Sequence, residues 1–191
     1  AAAGKALVAL DLGPTGQMLE PTGSLTFEQA YDLYAEQVDA GQDADLILIE
    51  TMTDLYEIRA AVLAAKEHGN GKPVIALMTF EHTGRTFTGC SVSAMALTLE
   101  GLGVDAMGIN CSIGPDELYP VVEELCRWTT LPLLIKPNAG LPDPVTNQYN
   151  VSPAEFARSM TRIAKLGVKL LGGCCGTTPD YIRAVRETVA D

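Results

Sequence analysis

No stretch of this 191-residue chain approaches the roughly 20 consecutive apolar residues that a membrane-spanning helix needs. Its first residues, Ala1-Ala2-Ala3-Gly4-Lys5, lack the charged-then-apolar layout of an export signal, so a cytoplasmic address is the expectation. A basic surplus is missing too. Lys and Arg number 13 against 24 Asp and Glu, a formal net charge of -11. Neither nucleic acid nor an anionic membrane is therefore expected as a partner, because both call for clustered cations. There is no Gly-x-Gly-x-x-Gly and no Gly-Lys-Ser/Thr, which removes the common dinucleotide and P-loop fingerprints. The only two histidines, His68 and His82, have no ligand pattern around them and read as solvent-facing. Ser112 and Ser152 lack a strand-end histidine partner, so serine hydrolysis is a poor reading. Five cysteines, an odd number, do not make a disulfide framework in a chain expected to stay inside the cell. Metal binding or thiol chemistry becomes the sharper question.

What is present describes an ordinary globular chain, 47% hydrophobic and 19% charged, with no low-complexity linker, and residues 1–191 are expected to form one domain. Six short β-rich runs stand out, at residues 6–11, 45–50, 73–79, 104–111, 131–137 and 168–175. Most are nearly continuous apolar, as expected of parallel strands covered on both faces. Helical spacing fills the gaps: Phe27, Tyr31, Tyr34 and Val38 step by 4, 3 and 4; Leu55, Ile58, Val62 and Ala65 by 3, 4 and 3; Phe156, Met160 and Ile163 by 4 and 3. Further helices are expected at 93–102, 115–127 and 179–189. Alternating strand and helix predicts an α/β fold, either a doubly wound sheet or a (β/α)8 TIM-type barrel. Six units fall two short of a complete barrel.

The polar residues fall in telling places. Asp11, Glu50, Asn110 with Cys111, Asn138, and Cys174 with Cys175 all sit at the carboxyl ends of expected strands, where parallel α/β folds build their sites. Cys174 and Cys175 lie in a glycine-walled turn, Gly-Gly-Cys-Cys-Gly at 172–176, just before the helix-start signal Thr177-Thr178-Pro179-Asp180. With Cys111 they form a candidate three-thiolate zinc site whose fourth position stays open, as in catalytic zinc. A lone cysteine is more often a small buried hydrophobe, and Cys90 and Cys126 read that way. Asp11 and Glu50 at buried strand tips suit a substrate ammonium, against the alternative that each caps a helix or pairs with a Lys or Arg. The glycine loops at 13–16, 138–140 and 172–173 read as tight turns that let backbone approach a ligand. An aldolase-like barrel with Lys136 as its Schiff-base residue is the weaker alternative, because Lys136 precedes Pro137 and nothing else calls for it.

Three segments then carry a resemblance: Gly-Ile-Asn-Cys-Ser-Ile-Gly-Pro at 108–115, Lys-Pro-Asn-Ala-Gly-Leu-Pro at 136–142, and Gly-Gly-Cys-Cys-Gly-Thr-Thr-Pro-Asp-Tyr-Ile-Arg-Ala at 172–184. With Asp-Leu-Gly-Pro-Thr-Gly at 11–16 and Ile-Glu-Thr-Met at 49–52, the chain resembles the zinc-dependent homocysteine S-methyltransferase family. It looks most like the homocysteine-binding barrel of cobalamin-dependent methionine synthases. The resemblance implies that Cys111, Cys174 and Cys175 ligate Zn2+, that Asp11 and Glu50 bind the amino group of homocysteine, and that Asn138 shapes the site. It implies methyl transfer to the homocysteine thiol to form methionine, the methyl coming from methylcobalamin presented by another domain, or from a small donor such as betaine or S-methylmethionine. Family members begin with an Asp-Gly-Ala-Met-Gly-Thr-like strand and a second βα unit that this chain does not contain. Its six strands would be the third to the eighth, an N-terminally truncated barrel. The alternative function is a non-catalytic zinc-binding barrel fragment that needs a missing N-terminal piece, a partner chain or an oligomer.

Overall fold

The computed structural model describes Gly4 and residues 6–189; residues 1–3, 5, 190 and 191 of the expected domain lie outside that description. Six βα units follow one another: β1 (Ala9–Leu12), α1 (Phe27–Ala40), β2 (Leu46–Met52), α2 (Leu55–His68), β3 (Val74–Met78), α3 (Val92–Gly101), β4 (Ala106–Asn110), α4 (Pro115–Leu125), β5 (Leu133–Lys136), α5 (Pro153–Ala164), β6 (Leu170–Leu171) and α6 (Pro179–Val189).

All ladders are parallel and the strand order is β1-β2-β3-β4-β5-β6. A doubly wound sheet reverses its order at a switch point. No reversal occurs here, and each helix packs on the next one in sequence, so the arrangement is a sector of a barrel. Among the described residues β1 pairs only with β2 and β6 only with β5. Exposed apolar side chains, Leu7 and Val8 before β1, and Leu170 and Ile182 at the β6 side, flank these two unpaired edges.

Helix starts are fixed locally. Thr26 with Gln29 and Ser152 with Glu155 form reciprocal capping boxes, and Asp54 accepts the Tyr56 and Glu57 amides at the head of α2. The helices then bury one stripe against the sheet: Tyr34 and Val38 from α1, Ile58 and Val62 from α2, Phe156, Met160 and Ile163 from α5. In β2, Ile47 and Ile49 are buried while Leu46, Leu48 and Glu50 are only half-buried. The expectation of strands covered on both faces therefore holds only at the centre, where every residue of β4 is buried. Toward the edges the concave face stays partly open.

Except for β2, the strands are shorter than their apolar runs suggest, and this moves the site residues. Cys111 lies one residue beyond β4, Asn138 two beyond β5, and Cys174 and Cys175 in the turn after a two-residue β6. Glu50 and Asp11 lie inside their strands, because β2 runs on through a bulge to Met52 and β1 ends at Leu12. His68 differs from expectation as well. It is half-buried between α1 and α2, with Nδ1 against Asp39 at 3.1 Å and Nε2 against the Tyr31 hydroxyl at 3.1 Å. His82 is exposed, as its sequence setting suggests.

One buried acid ties the first loop to the scaffold. Glu57, 3% exposed at the start of α2, accepts from the Thr15 amide and hydroxyl at 2.7 Å each and from the Tyr34 hydroxyl at 3.0 Å. The Gly13-to-Gly16 turn is thereby held over the carboxyl end of β1.

Candidate metal centre

Two turns deliver three sulfurs. At the end of β4, Asn110 is fully buried, and the next two residues, Cys111 and Ser112, both take left-handed backbone at φ 66°. The Ile113 amide donates back to the Cys111 carbonyl at 3.0 Å, closing a γ-turn around Ser112. Two consecutive non-glycine residues in this region are strained, and such strain persists where the surroundings over-determine it. Here the Cys111 amide is pinned to the Lys136 carbonyl at 3.0 Å.

After β6 the Cys174 amide donates to the Pro137 carbonyl at 2.9 Å, and the Cys175 amide to Asn138 Oδ1 at 3.0 Å. The Ala139 amide returns to the Cys175 carbonyl at 2.9 Å, so the segment after β5 clamps the cysteine pair. Gly176 completes the turn at φ 78°, and a Cβ there would come within 2.2 Å of the Tyr149 ring. Only glycine meets both conditions.

The sulfurs of Cys111, Cys174 and Cys175 all lie within 4.8 Å of one another, and Cys111 Sγ stands 3.8 Å from Cys175 Sγ. Zn–S bonds of about 2.3 Å in a tetrahedron place neighbouring sulfurs about 3.8 Å apart. The spacing and the soft thiolate donors fit zinc, with three protein ligands and a fourth position to spare.

The electrostatics favour a thiolate at one of the three sulfurs. Cys174 is pulled down to about 6, first by the hydrogen bond from the Cys111 thiol, against burial, and further by Asn110 Nδ2 at 3.8 Å. Cys111 is pushed up, because it holds the shared proton against Cys174 and is itself partly buried. Asn110 also accepts the Thr51 amide at 2.8 Å and donates to Thr51 Oγ1 at 2.9 Å, holding Thr51 in a left-handed conformation at φ 65°.

Of the other residues singled out in the sequence, Glu50 is half-buried and its Oε2 is paired with the Lys136 ammonium. This is the lysine partner that the structural alternative for Glu50 anticipated. Asp11 is exposed, yet loss of hydration and then the Glu50 charge raise its pKa, while Lys136 lowers it. Asn138 is buried and bonded to the Cys175 amide. Among the described residues, Cys90 and Cys126 join no metal-holding group, and they pack against the core. Sequence reasoning allowed a cation beside Glu50 without naming Lys136, and missed the Asn110–Thr51 bonds, the Glu57 anchor and Tyr149 over Gly176. Only the Asn-Cys dipeptide carried a signal for any of them.

Comparison with known proteins agrees with this geometry. A family profile described as homocysteine S-methyltransferase matches residues 1–189. The methionine synthase of Mycobacterium leprae (strain TN) is 37% identical over 190 residues, an alignment covering 94% of this chain and 16% of that protein. The chain thus spans about one sixth of the length of such curated relatives. Among solved structures, the apo form of the homocysteine methyltransferase MmuM from Escherichia coli superposes with a TM-score of 0.78 at 26% identity, covering 95% of this chain and 63% of that one. Its metallated form superposes at 0.67 and 25% identity, over 82% and 51%. No helix among the described residues is long and apolar enough to cross a membrane. The sulfur trio, the sequential parallel sheet and the near-complete family match lead to one conclusion: the chain belongs to the homocysteine S-methyltransferase family.

Proposed function

We propose that this chain binds homocysteine at zinc held by Cys111, Cys174 and Cys175, and serves the transfer of a methyl group to the homocysteine sulfur to give methionine. The observation that carries the reading is the convergence of three sulfurs within 4.8 Å of one another, one pair of them at the 3.8 Å of tetrahedral thiolates, on the carboxyl side of the sheet. Zinc bound there would supply a Lewis-acidic position at which a substrate thiol sheds its proton near neutral pH. In the transfer itself the sulfur–carbon bond forms as the donor–carbon bond breaks, and the electron pair leaves with the donor. No side chain need act as general base, which suits a site without histidine.

The chain's own residues supply binding and order. Asp11 and Glu50 receive the substrate ammonium through charge-assisted hydrogen bonds. Asn138 fixes the Cys175 amide, and with it the backbone that carries that sulfur. In this reading the methyl source is methylcobalamin presented by another domain, as the resemblance to cobalamin-dependent methionine synthases implies, or a small-molecule donor. The experiment is metal analysis of the chain with and without homocysteine. Cys174→Ser is expected to lose stoichiometric zinc, and Glu50→Ala to keep zinc while binding homocysteine more weakly. Stoichiometric zinc in Cys174→Ser overturns the ligand assignment; unchanged homocysteine affinity in Glu50→Ala overturns the amine assignment.

A second reading has its own observation. The unpaired β1 and β6 edges, with Leu7, Val8, Leu170 and Ile182 exposed beside them, favour a partner that adds strands between them. In that reading the chain binds zinc but needs a complementary βα segment or a second copy for activity. Sedimentation of the chain together with a methionine-formation assay separates the two.

A further inference from the structure

We infer that Lys136 is a positioning residue for recognition of the substrate amine: its ammonium reaches across the concave face of the sheet, aims Glu50 and balances the charge of one of two neighbouring carboxylates. The inference rests on the reading that Asp11 and Glu50 receive the amino group of homocysteine, and adds the residue that organises them.

Lys136 ends β5 and Glu50 lies on β2, so two strands stand between them. In a flat sheet three ladder steps would separate their backbones by about 14 Å, more than a Lys and a Glu side chain comfortably span. The pair forms because the sheet curves and both side chains point into the hollow. The lysine stem has a prepared path. A Cβ on Gly172 would lie 2.9 Å from Lys136 Cγ and 3.5 Å from Cδ, so glycine at the end of β6 clears its route. The pair is well shielded, with side-chain exposures of 20% for Lys136 and 15% for Glu50. Fixing two long side chains costs rotamer freedom, and a partly buried pair recovers it only when geometry is good.

Only Oε2 of Glu50 is engaged. Its Oε1 accepts no hydrogen bond from any described residue, so Lys136 fixes the carboxylate plane while leaving one oxygen for a second cation. Two carboxylates and one ammonium leave the group at a net charge of about -1, the complement of a single substrate ammonium. Without Lys136 the two carboxylates repel each other and nothing fixes the plane of Glu50. The opposing influences on Asp11, upward from Glu50 and downward from Lys136, agree with this balance. The same pairing argues against Lys136 in the Schiff-base role, since its nitrogen is already engaged by the Glu50 carboxylate.

The test is calorimetric titration of the zinc-loaded chain with homocysteine and with its desamino analogue, γ-mercaptobutyrate, alongside zinc analysis and circular dichroism. Lys136→Met is expected to weaken homocysteine about 10-fold, the worth of one charge-assisted hydrogen bond. Zinc content and γ-mercaptobutyrate affinity stay as in the parent, and Lys136→Arg restores most of the homocysteine binding. If Lys136→Met does not fold, Lys136→Gln, which keeps a donor but not the charge, gives the same comparison. Unchanged homocysteine binding, or equal loss for both ligands, overturns the inference, the second being the mark of a packing role. Glu50→Gln in the same titration separates the two layers. If it leaves homocysteine binding intact, the amine reading itself falls; if it weakens binding while Lys136→Met does not, only the role of Lys136 falls.

Discussion

Asn110 donates from Nδ2 to Cys174 Sγ across 3.8 Å, tying the end of β4 to the turn after β6, while the same amide group holds both the N–H and the hydroxyl of Thr51. One fully buried side chain thus contacts a sulfur of the trio and keeps β2 in its left-handed bulge. A carboxamide can do both because it carries donors and an acceptor on one plane.

Asn110→Ala strands the Thr51 amide and hydroxyl and removes a donor from Cys174. A buried unsatisfied group costs about 1–3 kcal/mol, so urea unfolding of the metal-free variant should show a loss of about 2 kcal/mol or more. Competitive zinc titration should show affinity falling about 10-fold or further, as when a residue supporting a metal ligand is lost. Parent-like values in both would show that the amide is a bystander.

Cys174 in the metal-free chain should alkylate at unusually low pH. The thiolate is the reactive form, and its pKa of about 6 puts most of it in that form at neutrality. The rate with iodoacetamide should therefore rise as pH increases through about 6 and level off above it, whereas an ordinary cysteine rises near 8.5. Peptide mapping should find the early label on Cys174, with Cys111, pushed the other way, reacting only at higher pH. A single inflection near 8.5 would contradict the sulfur geometry.

Zinc should raise the melting temperature. An ion that binds only the folded sulfur trio stabilises in proportion to the logarithm of its concentration over its dissociation constant, about 2.7 kcal/mol at a hundredfold excess. Chelation should reverse the shift, and acid should erase it, since protons compete for thiolates. Cys111→Ser should abolish it, while Cys90→Ser should leave it intact. Equal responses in the two variants would point to zinc binding elsewhere.

Glu57→Leu should destabilise the chain by about 3 kcal/mol, because Thr15 and Tyr34 lose a shared buried acceptor. Glu57→Gln keeps a carbonyl acceptor and should cost less. Hydrogen exchange should show the loop at residues 13–17 opening first. Protection unchanged in Glu57→Leu would mean that the loop is held by other contacts.

The legible and illegible parts of this molecule divide by distance along the chain. Apolar runs of strand length and helical spacing are local, and they located all six βα units; a Cys-Cys pair walled by glycine is local too, and with Cys111 it marked the sulfur trio. The strand limits were overrun because the apolar stretch at 168–171 flows into Gly172 and Gly173, which leave the ladder without changing the hydrophobic signal. The Glu50–Lys136 pair spans 86 positions and depends on curvature, which no spacing encodes. His68 read as solvent-facing because Asp39 and Tyr31, its partners, lie 29 and 37 residues away on another helix. Glu57 looked like any acid in a first helical turn, a common surface feature; only the fold brings Thr15 and Tyr34 onto it.

Because each strand pairs with the one made just before it, the sheet can be extended in the order of synthesis, while the trio waits for its last two members. Under the proposed zinc assignment, ion capture would therefore report that the polypeptide has been built through its sixth repeat. A chain stopped short of Cys174 would keep most of its hydrophobic interior and only one of the three thiols, making metal content a more sensitive gauge of completeness than helicity.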